Sequence, residues 1–381
     1  MRLALLAAFL LAAPAGAQSQ RFQIDAQTPE GLLLQMAGSE SDEAKKIQLY
    51  EEFLDKYPSH AGRAYALNQV VPLWLKNKAL DKVIAGVREI LASEPDNAPA
   101  AYNALQACEE KNDAACIVEW ATATIGAAKK KIDSKQPEDE TEAETWKAEV
   151  DFATQVTTRA EYAFYAGALR SGDPNAILTL AVGLEKANPK SQYMPQTAGR
   201  GFIALIQMKD MKRALEYAEN AAAQGFANED MLVFAADTHL SSSKNFDKAA
   251  EYATALIGML PSRSAPEGMD QAAWEKKKKD TLARGYWIAG IALGAREKWP
   301  DCEKILAEGL PAIQASTAAN DLLPGAYFYL GLANYNLAGK GPKRDKARIA
   351  AAEKYWTACA KMKSPFQSRA AQNLQGLAAG R

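Results

Sequence analysis

Two histidines, His60 and His239, and four cysteines, Cys108, Cys116, Cys302 and Cys359, stand among 381 residues, so the side chains that most often carry nucleophilic or metal chemistry are scarce. His60 follows Pro58-Ser59 at the start of a helical stretch, and His239 lies near the end of another, where a cation meets the helix dipole favourably. Both read as structural or surface residues. Asp237 and His239 are two positions apart, a spacing that puts them on different sides of a helix and does not make a catalytic dyad. No two cysteines have the C-x-x-C spacing of a redox or zinc site. There is no G-x-S-x-G elbow, phosphate loop or dinucleotide fingerprint; GKGPKRD at 339–345 lacks the closing G-K-[ST] and a preceding strand, and reads as a turn. The expectation is a chain with no catalytic residues, no metal and no cofactor.

Charge narrows the partners. Lys and Arg number 45 against 46 Asp and Glu, a net charge of −1, so there is no global field to hold a polyanion and a nucleic-acid binder is not expected. The run EKKKKD at 275–280 points four successive lysines in four directions on a helix and reads as a solvated face, as does the shorter run 129–131. The first twenty residues, MRLALLAAFLLAAPAGAQSQ, place Arg2 before an apolar run from Leu3 to Ala13, with small residues at Ala15 and Ala17. This pattern predicts a cleavable secretory signal over 1–17 with the mature chain starting near Gln18. The run is too short to cross about 30 Å of hydrocarbon, and no later window is apolar for long enough. A periplasmic location is expected, secretion being the alternative; with no cysteine at the signal's end, no lipid attachment is expected there.

From Thr28 onward the apolar residues recur with helical periodicity, Ala-rich and Leu-rich, and no strand pattern appears. Breaks recur at Tyr57-Pro58, Glu94-Pro95, Asn188-Pro189, Leu260-Pro261 and Ser364-Pro365. Pro58 to Pro95 is 37 residues, and Pro189 to Pro261 is 72 with Gly225 midway, the mark of stacked helix pairs. Phe246, Ala249, Ala253, Leu256 and Pro261 set small residues where two helices cross and bulky ones beside them. Tyr327, Leu330 and Gly331, then Ala352, Trp356 and Pro365, repeat the rhythm. In these motifs the chain resembles the tetratricopeptide repeat family over most of its mature length. The resemblance implies an all-α fold, a right-handed superhelical solenoid of stacked antiparallel helix pairs.

The pairs are expected at 29–57, 59–93, 98–131, 142–187, 194–224, 229–260, 270–315 and 321–362, with long first helices in the fourth and seventh and an added loop at 340–345. Residues 366–381 are expected to form a capping helix and tail. The polar stretch 132–144, with Pro137 and a carboxylate cluster, reads as a connector between N-terminal pairs (18–131) and C-terminal pairs (145–365); its acidic run can dock a basic partner or be an exposed loop and helix start. Cys108 and Cys116 straddle the turn at Lys111 and Asn112, and a bridge there needs Cα atoms within about 7 Å. Against a bridge, Cys116 falls where the repeat wants a small residue. Cys302 and Cys359 occupy slots where the motif places Ala or Gly, and read as buried free thiols.

The resemblance also implies that the first helices line a concave groove. It places Tyr65 and Asn68, Phe234 and Thr238, Trp287 and Ile291, and Phe328, Leu332 and Tyr335 toward that face, where aromatic anchors among polar groups suit an extended peptide or a partner helix. Packing between neighbouring pairs is the competing role for each. The expected function is therefore a non-enzymatic exported scaffold binding protein or peptide partners, in envelope assembly. The alternatives are an envelope enzyme resembling the superhelical lytic transglycosylases and a small-molecule-binding solenoid. Against the enzyme, the periodic pattern runs almost to Arg381 and leaves only the capping helix after Pro365. The sequence does not specify an oligomeric state.

Overall fold

Most connections in the chain end on an Asp or Asn whose side chain then starts the next helix. Asp42, Asn97, Asp113, Asp210, Asn228 and Asn245 each accept a hydrogen bond from the backbone N–H three residues on, at 2.9–3.1 Å. Each satisfies one of the donors that a helix start leaves unpaired. The computed structural model describes residues 24–379 except 244 and 267. The predicted signal segment, 1–17, lies outside the described residues, as do the last two residues of the predicted tail.

Among the described residues there are 17 α-helices, two short 3-10 turns and no strand, and no helix is long and apolar enough to cross a membrane. The chain divides into two compact units, one ending at Met208 and the other beginning at Lys209. The first contains α1 (Pro29–Ser39), α2 (Glu43–Lys56), α3 (Arg63–Lys76), α4 (Leu80–Ser93), α5 (Ala98–Lys111), α6 (Ala114–Ile132), α7 (Glu140–Arg170), α8 (Pro174–Ala187) and α9 (Met194–Gln207). The second contains α10 (Met211–Gln224), α11 (Glu229–Ser242), α12 (Phe246–Met259), α13 (Gln271–Ala295), α14 (Trp299–Gln314), α15 (Ala319–Leu337), α16 (Lys346–Ala360) and α17 (Gln367–Ala379). The stretch 132–144 does not part them: residues 133–139 are loop, 140–144 open α7, and the division falls after Met208, with α9 in one unit and α10 in the other.

Within each unit every helix packs on the next, and first helices also pack on first helices: α3 on α5, α5 on α7 and α7 on α9 in one unit, α11 on α13 and α13 on α15 in the other. These are stacked antiparallel helix pairs of tetratricopeptide-like form. Several short connections between successive helices are built the same way, around one residue in the left-handed region: Lys78, Asn112, Lys209, Ser243 and Glu297, with φ between 51° and 60°. From 78 to 112, and again from 209 to 243, the interval is 34 positions, the length of a tetratricopeptide unit.

Close approach of the paired helices depends on residues without bulk. A Cβ on Gly86 of α4 would sit 3.0 Å from Trp74 of α3, one on Gly183 of α8 2.8 Å from Phe164 of α7, and one on Gly309 of α14 2.3 Å from Tyr286 of α13. Ala249, Ala253 and Leu256 of α12 and Ala352 and Leu330 farther on are fully buried, so the periodic small and bulky positions form the core.

A second recurring device holds successive pairs together. A polar side chain on a first helix reaches the connection that leads into the next pair. Asn68 of α3 donates to Glu94 at 3.2 Å and accepts from Asn97 at 3.1 Å. Glu161 of α7, only 7% exposed, accepts from Asn188 and Ser191 at 2.7 Å each. Asp280 of α13 accepts from the Thr317 backbone and hydroxyl at 2.8 Å each. Around Glu161 and Asn97 these bonds satisfy groups that the stacking buries, whereas the Asp280–Thr317 bonds are exposed.

The basic run at 275–280 is a correction to the expectation of a solvated face. Lys276 and Lys279 are exposed, but Lys277 binds Glu229 and Asp230 at 2.8 Å each, and Lys278 donates to the Pro261 and Arg263 carbonyls. Burial alone would lower the Lys277 pKa; its hydrogen bonds to the two carboxylates outweigh that and raise it. Four directions on a helix include two that face protein.

The last helix covers an apolar face. Ala370 and Leu377 of α17 are buried against Phe328, Trp356 and Cys359, and the Phe366 ring lies 5.3 Å from that of Phe328. A chain ending at Ser364 is expected to expose this cluster and self-associate, as read by light scattering behind a sizing column. A monodisperse monomer would refute the capping role.

Candidate functional site

In the second unit the first helices α11 and α13 and the start of α12 surround a cleft of about 270 Å³. Arg284, Trp287, Ile291 and Ala295 form one stripe along α13, and Asp237, Leu240 and Ser241 supply the α11 wall. Ser243 and Phe246 close one end; Tyr329 of α15 and Phe366, just before α17, close the other. Most of the lining is apolar, with the polar groups gathered on the α11 side.

Arg284 is paired with Asp237 and its guanidinium lies 4.6 Å from the Trp287 ring centroid, so it holds α11 to α13 while covering the indole. The Trp287 Nε1 is buried without a hydrogen-bond partner, and a Cβ on Gly325 would lie 2.8 Å from it. Burial pushes the Tyr329 hydroxyl upward, Cys302 adds to that, and Arg369 opposes it, so Arg369 stands within electrostatic reach of this end of the cleft. A site of this size and polarity can take one bulky side chain or a comparably small apolar group.

Trp287 and Ile291 are the two of the nine expected groove residues that line the cleft. The others have different roles. Asn68 is held in the connection between pairs described above, and Tyr65 is hydrogen-bonded to the buried Tyr50, whose pKa is pushed up to about 12 by burial and by Tyr65. Thr238 donates to the Phe234 carbonyl of its own helix at 2.7 Å, and Phe234 is half-buried. Phe328 is a correction: at 5% exposure it lies in the packing of α15 against α16 and α17, not on an open groove. Leu332 and Tyr335 pack against the same cluster, Tyr335 with its ring 5.6 Å from Trp356 and under Arg344 at 4.6 Å. Phe366 was missed because it follows a helix stop; its aromatic character right after Pro365 is the available signal.

The remaining titratable clusters have partners within the fold. His239 faces α10 and α12, with Nε2 2.9 Å from Glu219 and its ring stacked on Tyr252, whereas Asp237 faces α13. Burial would raise the Glu219 pKa, but hydrogen bonds from Lys248 and His239 hold it below the ordinary value. His60 closes a loop by accepting from the Gly62 N–H at 3.0 Å. In the first unit Arg159 donates to both oxygens of Glu109 and lies over Tyr162, while Tyr162, Tyr165 and Tyr193 form one cluster of rings 5.5–6.0 Å apart. Cys108 and Cys116 are joined as a disulfide across the α5–α6 turn with Cα atoms 5.4 Å apart, while Cys302 and Cys359 are buried free thiols whose pKa values burial raises to about 12 and about 11.

No family model matches the chain, and no curated protein matches it. Among solved structures it is similar to the TPR domain of P58(IPK), at 10% identity with 92% of this chain and 97% of that one covered and a TM-score of 0.27. It is also similar to yeast Tom70, at 9% identity over 93% of this chain and 97% of that one, with a TM-score of 0.23.

Proposed function

We propose that this protein is a non-enzymatic scaffold that holds a peptide segment of a protein partner, with the cleft between α11 and α13 as its anchor point. The observation that carries this reading is the cleft itself: about 270 Å³, lined by Trp287, Ile291, Tyr329 and Phe366, and flanked by a polar wall. Such a shape suits a single buried side chain supplying most of the binding energy, with the surrounding polar groups excluding water and fixing direction. Elsewhere in the second unit the shifted groups Glu219 and Lys277 have hydrogen-bonded partners that account for their shifts. Export to the periplasm and a role in envelope assembly belong to the same proposal. They are supported by the signal-like residues 1–17 and by a disulfide, a bond at home in oxidising compartments.

The test is selection of a random displayed peptide library on the full chain, followed by titration of the enriched peptides. Ser241 is exposed on the cleft wall, so Ser241→Trp fills the opening without altering the core. Enriched peptides are expected to lose about tenfold or more in affinity for this variant, corresponding to about 1.4 kcal/mol, while helicity is unchanged. Equal affinity for both proteins would remove the cleft from the binding surface.

A further inference from the structure

One end of the cleft is formed by a stretch of chain with an unbalanced charge. From residue 354 to residue 379 the chain contains Lys354, Lys361, Lys363 and Arg369 and no Asp or Glu. Phe366, which lines the cleft, sits in the middle of this arc. Lys361, Lys363 and Arg369 are all exposed, and among the described residues none of the three is in an ion pair. Away from that end, Asp237 on the α11 wall is paired with Arg284, and Asp247 with both Arg296 and Lys298. The cleft is therefore mostly apolar in its lining, and the chain on either side of Phe366 at its α17 end is cationic.

Resting on the peptide-binding reading above, we infer that the preferred partner segment is an acidic one: a bulky apolar side chain inserted in the cleft, with carboxylates beside it over Lys363 and Arg369. The size of the cleft suits one large side chain and not a packed helix, which sets the anchor. The free cations set the flank. Exposed lysines and arginines act over several ångströms without a fixed hydrogen-bond geometry, so they raise the rate of encounter and discriminate by sign. Nothing in their arrangement requires a free carboxyl terminus; internal Asp or Glu residues satisfy it equally.

The experiment uses the full chain and four fluorescent peptides: a tryptophan anchor flanked by Asp and Glu, the same anchor flanked by Ser, the same anchor flanked by Lys, and the acidic flank with the anchor replaced by Ala. The acidic anchored peptide is expected to bind about tenfold or more tighter than the Lys-flanked one, and to weaken as salt is raised from about 0.05 M to about 0.5 M. In the triple variant Lys361→Glu, Lys363→Glu, Arg369→Glu, this order is expected to reverse with helicity retained. Equal, salt-independent binding of the three anchored peptides would overturn the acidic preference while leaving the cleft as the binding site. Equal binding of the anchorless acidic peptide would overturn the anchored segment and leave a non-specific anion surface. Failure of all four peptides, with selected library peptides also indifferent to Ser241→Trp, would sink the peptide-binding reading as well.

Discussion

Gly331→Ala is expected to destabilise the second unit by about 1–3 kcal/mol, the cost of overpacking a close helix crossing. Helix propensity by itself argues the other way, because alanine is favoured over glycine inside a helix by about 1 kcal/mol. Contact geometry decides the sign. A Cβ on Gly331 would lie 2.3 Å from Trp356 Nε1 and 2.4 Å from its Cδ1. The indole cannot swing aside cheaply, since it is 2% exposed and its N–H donates to the Phe328 carbonyl at 3.2 Å. Moving it breaks that bond and opens the cluster under α17. Gly258 and Gly376 are the controls: a Cβ on either meets nothing within 4 Å, so alanine there should be neutral or stabilising. Urea titrations of the three variants read the result. A Gly331→Ala midpoint at or above the parent's would mean that α15 and α16 do not approach as closely as described.

Removing the Cys108–Cys116 bridge, by the double change to alanine, is expected to cost the first unit about 2–3 kcal/mol, the loop-entropy contribution of a short closed loop. For a unit of this size that lowers the melting midpoint by about 5–10 °C. The bridge spans the α5–α6 turn, eight positions apart in sequence, and the residue after Cys108 is Glu109, which receives Arg159 of α7. Loosening the turn therefore also loosens the link between two first helices. Dithiothreitol should reproduce the double variant in the parent and have no further effect on the variant. Cys302→Ala and Cys359→Ala should leave the dithiothreitol response intact, because those thiols are free and buried. An identical midpoint with and without reductant in the parent would show that the bridge contributes nothing to stability.

Much of the local architecture was legible because small and bulky residues recur at helical spacing. Ala249, Ala253, Leu256, Leu330, Ala352 and Trp356 are buried where the motif places them, and the long first helices and the extra loop at 340–345 follow from spacing as well. The site was less legible. Periodicity identifies an apolar face but not which neighbour covers it: Phe328 has the spacing of a groove anchor, yet the ring of Phe366, 38 positions later, packs against it. Trp287 and Ile291 share their stripe with Arg284, and that stripe is readable; the pairing of Arg284 with Asp237, 47 positions away, is not. Lys277 and Lys278 misled for a related reason, since composition describes a run of charge and not the side of the helix that meets another element.

What the residues determined alone was local and periodic: helix starts at Asp and Asn caps, stops at Pro, left-handed turns at a regular interval, and small side chains at crossings. Each depends on contacts within about one helix pair, a range over which side-chain spacing dictates the outcome. Tertiary structure decided everything that joins distant pairs: the cleft with Tyr329 and Phe366 at one end, the Asp237–Arg284 clasp, the division after Met208, and the concentration of free cations beside an apolar lining. Those features depend on which faces remain uncovered once the helices have stacked, and that is a property of the assembled array.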